Sequence, residues 1–161
     1  MLVKRRASGE PVSYILGECE FYSIKFKVTP SVLIPRQETE LLVDLALEKV
    51  SLGMSCKILD LGTGSGAIAI TIAKHRALSN VTAADNSADA IAIAKTNAEC
   101  LSVNNVHFIK SDWFEELTRK KFDLIISNPP YIALNDPHLN QQDLRFEPEL
   151  ALVAGQDGMD C

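Results

Sequence analysis

The sequence predicts an α/β fold, a Rossmann-like and mostly parallel sheet preceded by an N-terminal β-hairpin. Three observations carry that prediction. From residue 57 onward, short apolar runs alternate with helical stretches, the order that produces right-handed βαβ crossovers and a parallel sheet. A glycine-dense turn, Gly62-Thr63-Gly64-Ser65-Gly66, joins the first of these runs to a helix. Four chemically marked stretches (that turn, Asp85, Asp112-Trp113 and Asn128-Pro129-Pro130-Tyr131) each fall at the carboxyl end of a predicted strand. In a parallel sheet that rim is where ligands bind.

The 161 residues suffice for one domain with a real core. Apolar residues make up 47% and charged residues 23%, an ordinary balance for a soluble globular chain. No apolar run approaches the ~20 residues of a membrane span. Lys4-Arg5-Arg6 is followed by Ala-Ser-Gly rather than by an apolar segment, so no signal peptide is read and a cytoplasmic location is expected. A net charge of −5 argues against an extended nucleic-acid surface. Cys19, Cys56, Cys100 and Cys161 form no C-x-x-C pair, and His75, His107 and His138 share no ligand spacing. Buried reduced thiols, with no structural zinc or disulfide, are expected.

Residues 1–8 read as the end of a helix, and Gly9 to Gly17 as a turn region. Residues 21–28 alternate, with Ile24, Phe26 and Val28 on one face, and Phe21-Tyr22 can pair back through a short hairpin. Pro30 and Pro35 bracket an extended segment. Arg36 to Glu40 opens a helix whose early acids suit the positive end of its dipole. Leu41, Leu42, Leu45, Ala46 and Val50 follow at helical spacing up to Gly53. Strands are then predicted at 57–61, 81–85, 106–110 and 122–127, with helices at 67–73 and 87–100. Residues 115–120 read as a short helix or loop. Past Tyr131 the chain turns polar, with a short strand expected within 150–154.

The site chemistry follows from residue types. Glycines allow a ligand to approach the backbone. Asp85, about 20 residues further on, stands where an acid takes ribose hydroxyls, its alternative role being a helix cap shared with Ser87. Together they point to an adenosine-type ligand. Trp113 can flank an adenine and Asp112 can accept from its amine; the alternative is a buried Trp beside a helix cap. Asn128-Pro129-Pro130-Tyr131 ends a strand with a backbone that cannot continue a ladder. It offers an amide oxygen, carbonyls and an aromatic face, which suit a planar NH2 group. The alternative is a proline-rich loop with Asn128 as turn former.

These motifs resemble those of the class I S-adenosylmethionine-dependent methyltransferases. Leu33-Ile34-Pro35-Arg36-Gln37-Glu38-Thr39-Glu40, Gly9-x-Pro11 with Tyr14 and Gly17, and Asp143-x-Arg145-Phe146-Glu147-Pro148 narrow the resemblance to the PrmC/HemK family. It covers the chain from about residue 5 to its end, with Gln37 where the family more often has proline. The resemblance implies methyl transfer from S-adenosylmethionine, leaving S-adenosylhomocysteine, to the glutamine of the Gly-Gly-Gln motif of peptide chain release factors. It implies cofactor contacts from Gly62, Thr63, Gly64, Ser65, Gly66, Asp85, Asp112, Trp113 and Asn128. Asn128 and Pro129 would accept the amide hydrogens, Tyr131 would pack on the amide plane, and Pro130 would complete the acceptor wall. It divides the chain into 1–35, the end of an N-terminal region with a hairpin linker, and 36–161, a cofactor-binding domain. Family members have a helical domain before and three strands after the matched region, so a chain shortened at both ends, with an exposed fourth strand, is expected. Competing readings are a ribosomal-protein glutamine methyltransferase, an adenine amino-methyltransferase on nucleic acid, and a non-catalytic cofactor-binding fragment.

Overall fold

The computed structural model describes residues 2–140 and 143–160. Two short helices, α1 (Leu2–Ala7) and α2 (Val12–Leu16), lead into an antiparallel hairpin of β1 (Glu18–Phe21) and β2 (Ile24–Lys27). Phe21 therefore ends the first strand instead of starting the second. Tyr22 and Ser23 lie between them at φ 53° and 58°, the left-handed pair of a tight hairpin turn. Phe26 and Val28 are buried as their alternation predicts, whereas Ile24 is only half-buried.

Helix α3 (Glu40–Lys49) follows a single 3₁₀ turn at Gln37–Thr39. Its buried residues are Val43 and Ala46, while Leu41 and Leu45 are exposed. Of the residues read at helical spacing, Ala46 and Val50 are buried and Leu42 packs against the core, while Leu41 and Leu45 face out and Val43, which the spacing did not single out, is buried.

The main sheet contains β3 (Lys57–Leu61), β4 (Asn80–Asp85), β5 (Val106–Lys110) and β6 (Leu124–Ser127), all parallel, in the order β5-β4-β3-β6. β3 lies at the centre, with Ile58, Leu59, Asp60 and Leu61 all buried. Burial on both faces is what a near-continuous apolar run gives in a parallel sheet. β6 begins two residues later than predicted, and the Asp123 carboxylate just before it accepts from the Lys57 N–H (2.8 Å). β6 is the outer strand of the described sheet and Ile125 is exposed, an open edge of the kind expected.

Helix α4 (Ala67–His75) is buried from Ala67 through Ala73, as a helix apolar all round should be. Helix α5 (Ala88–Cys100) starts at Ser87, whose hydroxyl accepts from the Ala90 N–H (3.2 Å). Asn97 on α5 ties the hairpin to the glycine turn. Its amide accepts from Lys27 N (2.7 Å) and donates to the carbonyls of Lys27 (3.0 Å) and Ser65 (2.8 Å).

The short strand expected within 150–154 is a single parallel bridge, Ile132 to Val153, following a 3₁₀ turn at Glu149–Ala151. Of the cysteines, Cys56 is buried, Cys19 half-buried and Cys100 exposed, all free; the expectation of buried thiols holds for one of these three. Cys161, like Gln141 and Gln142, lies outside the described residues. Among the described residues no helix is long and apolar enough to cross a membrane.

Candidate active site

The carboxyl ends of β3, β4, β5 and β6 open onto one cavity of about 260 Å³. Gly62, Thr63, Gly64, Ser65, Asp85, Asp112, Trp113, Asn128, Pro129 and Pro130 all line it. Ten of the predicted site residues are thus brought together. Two are not. Gly66 is absent from the wall, and Tyr131 belongs to a neighbouring cavity.

The glycine turn is fixed from behind. The N–H groups of Gly62 and Thr63 both donate to the Ala84 carbonyl (2.9 and 3.0 Å). Gly64 stands at φ 55°, and a Cβ there would meet no atom within 4 Å. Its lack of a side chain serves the left-handed backbone and leaves the hollow in front of it open. Gly66 has a different reason to be glycine: at φ 83° it begins α4, and a Cβ would press on Ile70 and Ala94. It is therefore glycine for packing, and it does not line the cavity to which the cofactor expectation assigned it.

Asp85 has both roles considered for it in view. One carboxylate oxygen accepts from Gly64 N (2.8 Å), the other from Ser87 N (2.9 Å). Each oxygen keeps a second acceptor position, and the residue lines the cavity. Burial raises the pKa of Asp85, opposed by the two N–H donors.

Thr63 contributes backbone, because its buried hydroxyl is donated to Asp60 (2.7 Å). Asp60 lies fully buried under the turn, and among the described residues one of its carboxylate oxygens has no partner. Burial pushes its pKa up to about 6, against the pull of the Thr63 hydroxyl and the Ala69 N–H; nearby Asp85 raises it further. Because the folded value exceeds the unfolded one, Asp60 adds stability at low pH that is lost as pH rises through about 6. Urea unfolding should show the wild-type chain losing up to ~3 kcal/mol from this source between roughly pH 4 and 7. An Asp60→Asn variant should lack that component, and parallel pH curves for the two proteins would refute the assignment.

Trp113 sits at φ 43°, held by Ser111, whose hydroxyl donates to the Trp113 carbonyl (2.9 Å) and accepts from Glu116 N (3.1 Å). The ring is half-buried beside Leu59, Leu61, Ala84 and Leu117, so Trp113 is both a packing residue and a wall of the cavity. Asp112 is exposed at the rim.

Asn128 is half-buried. Its side-chain Nδ2 faces Thr39 Oγ1 at 3.5 Å, a long hydrogen bond. Asn128, Pro129, Pro130 and Thr39 line both the first cavity and a second one of about 420 Å³. The second also includes Arg36, Glu38, Leu42, Tyr131 and Leu144. Tyr131 is 73% exposed, so its ring stands at the outer mouth.

Sequence reasoning missed the roles of Asp60, Thr39, Asn97 and the pair Arg36–Glu147. Arg36 donates from Nη2 to Glu147 Oε1 at 2.6 Å. Both residues stood within quoted motifs, and their opposite charges were the available signal.

A parallel sheet whose glycine-turn rim opens onto one cavity defines a Rossmann-like α/β domain. The chain belongs to the methyltransferase small domain family, whose description matches residues 37–143. It is 51% identical over 160 residues to the release factor glutamine methyltransferase of Xylella fastidiosa strain 9a5c, covering 99% of this chain and 58% of that protein. To the Escherichia coli K12 protein of the same name it is 48% identical over 158 residues, covering 98% and 57%. The chain thus spans about half the length of these curated relatives. Among solved structures, the T. thermophilus 16S rRNA N2 G1207 methyltransferase in complex with AdoMet and guanosine shares the fold. Its TM-score is 0.60 at 21% identity, over 74% of this chain and 33% of that one. Trm5b from Pyrococcus abyssi gives a TM-score of 0.58 at 25% identity, over 71% of this chain and 33% of that one.

Proposed function

We propose that this chain carries the site for methyl transfer from S-adenosylmethionine to the side-chain amide nitrogen of the glutamine in the Gly-Gly-Gln motif of peptide chain release factors. The observation that carries the reading is the shared wall: Asn128, Pro129 and Pro130 line a donor-side cavity and an acceptor-side cavity at once. The names of the relatives, release factor glutamine methyltransferases at about half identity, supply the acceptor.

The donor-side cavity suits the cofactor. It has an open glycine backbone at Gly64, a carboxylate with free acceptor positions at Asp85, and apolar walls from Val32, Leu33, Leu61 and Ile68. Asp85 would take ribose hydroxyls, Trp113 and Asp112 the adenine, and the backbone of Gly62 to Ser65 the remainder. When bound, S-adenosylmethionine supplies a methyl group on a sulfonium, which needs little activation.

Orientation is then the main task of the protein. A glutamine amide nitrogen is a poor nucleophile because its lone pair is delocalised into the carbonyl. Asn128 Oδ1 and the Pro129 carbonyl each accept one amide hydrogen and turn the nitrogen toward the donor side. Such positioning can lower a barrier by up to ~7–11 kcal/mol. Tyr131 closes the outer mouth against the amide plane. The methylated amide sheds its extra proton to water, so no side chain need act as a strong base.

Asp85→Ala should weaken S-adenosylhomocysteine binding by roughly 10–100-fold, the effect of losing hydrogen bonds to a charged group. Equilibrium dialysis measures this, and unchanged affinity would remove Asp85 from the ribose role. The function itself is tested with radiolabelled S-adenosylmethionine and two release factors, one natural and one with Gly-Gly-Gln changed to Gly-Gly-Ala. Label on the first alone is expected. Label on neither, or equally on both, overturns the reading.

A further inference from the structure

We propose that the Arg36–Glu147 ion pair is a positioning device for the acceptor side of the site, fastening two distant segments so that Asn128 and Pro129 stay between the two cavities. This rests on the function proposed above.

The two residues are 111 positions apart. The Glu147 side chain has 0% exposure, while Arg36 keeps 38% and lines the acceptor-side cavity. Burial raises the pKa of Glu147; the guanidinium of Arg36 and the Ile34 N–H oppose it, the Asp143 carboxylate raises it further, and the Tyr14 phenol also faces it. Among the described residues the second carboxylate oxygen, Oε2, is buried without a partner. A pair placed like this costs desolvation and adds little net stability, and its best-attested use is to fix geometry.

The geometry that it fixes surrounds Asn128. Arg36 leads into Thr39, whose hydroxyl faces Asn128. On the other side, Glu147 leads into Pro148, Leu150 and Ala151, which line the donor-side cavity. That segment is stitched to the chain just past Tyr131: Ile132 N donates to Leu152 O (2.9 Å), Ala154 N to Ile132 O (2.9 Å) and Leu134 N to Gly155 O (2.9 Å). Arg36–Glu147 therefore closes a ring of attachments that holds the Asn128–Tyr131 stretch from both ends. A second layer backs it. Arg6 pairs with Asp143 (3.3 Å), and Arg145 donates to the Ser8 carbonyl and stacks on Phe146.

The test compares Glu147→Gln, Arg36→Lys, Arg36→Met and the double variant Arg36→Met/Glu147→Gln. Two readouts are used: steady-state methyl transfer alongside S-adenosylhomocysteine affinity, and backbone hydrogen exchange. Glu147→Gln should lower kcat/KM for the release factor by about tenfold or more while cofactor affinity stays within about twofold. Arg36→Lys should retain more transfer than Arg36→Met. The Arg36→Met defect should ease as pH falls, since a protonated Glu147 needs no counter-ion. Exchange should quicken at 128–132 and 143–153 and stay unchanged at 57–100. If Arg36→Met does not fold, the double variant, which buries no lone charge, still reports: it should fold, bind cofactor and transfer poorly. Cofactor affinity falling in step with transfer, exchange rising throughout the chain, or no change in either readout would each overturn the proposal. The exchange arm needs no acceptor. A wild-type chain that methylates no release factor would overturn the functional reading, and the exchange pattern would still decide the role of the pair.

Discussion

Asn128→Ala is expected to slow methyl transfer by roughly 10²–10³-fold while S-adenosylhomocysteine affinity stays within about threefold. The asymmetry follows from where the side chain sits. Asn128 lies on the wall between the cavities, half-buried, and among the described residues its side chain reaches the hydroxyl of Thr39 at 3.5 Å. Removing it leaves no buried charge or donor behind in the core, so the sheet and the glycine turn should survive. What goes, under the proposed function, is one of two acceptors for the substrate amide, hence the orientation of its nitrogen. Asn128→Asp keeps an acceptor oxygen but loses the Nδ2 donor that faces Thr39, and should fall between alanine and wild type. Rapid-quench transfer and equilibrium dialysis separate the two effects. A parallel loss of transfer and cofactor binding would make Asn128 a structural residue.

Gly66→Val should instead strike the fold. The residue has φ 83°, and its Cβ would stand 2.7 Å from Ile70 Cδ1 and 3.1 Å from Ala94 Cβ. The first fact forces a branched side chain into left-handed backbone, costing ~1–3 kcal/mol. The second overpacks the contact between α4 and α5 by another ~1–3 kcal/mol. Thermal unfolding should therefore drop by roughly 5–20 °C. Gly64→Ala is the comparison. It has the same sign of φ but no neighbour within 4 Å, so it should cost less stability while disturbing the mouth of the hollow. If the two variants melted alike, packing would not be the reason for glycine at position 66.

The contrast between those two glycines marks what a single sequence could show. Local punctuation was legible. The run Lys57–Leu61 and the run Val106–Lys110 match strands end for end, because apolar β-branched residues bounded by turn formers leave little choice. The rim was legible for the same reason, since each marked stretch begins at or within three residues of the carboxyl end of a strand. The distinct reason for Gly66 was not, because Ile70 and Ala94 meet it only once two helices pack. The buried stripe of α3 was only partly legible: Ala46 and Val50 were read correctly, but leucines on both sides satisfy helical spacing, so Leu41 and Leu45 were included and Val43 was not. Asn97 looked like an ordinary polar helix residue; its three hydrogen bonds reach across the fold to Lys27 and Ser65. Arg36 and Glu147 are linked by nothing local, and an ion pair spanning that separation becomes visible only in three dimensions.

In the proposed reaction Asn128 and Pro129 hold a flat amide nitrogen by both of its hydrogens and turn it toward the cofactor side. A crystal structure with S-adenosylhomocysteine and a Gly-Gly-Gln peptide measures this directly. The glutamine amide nitrogen is expected at ~3 Å from both Asn128 Oδ1 and the Pro129 carbonyl oxygen, with the sulfur of the cofactor product on the Gly64 side. A peptide glutamine lodged elsewhere, or bound with its amide nitrogen turned away from Asn128, would contradict it.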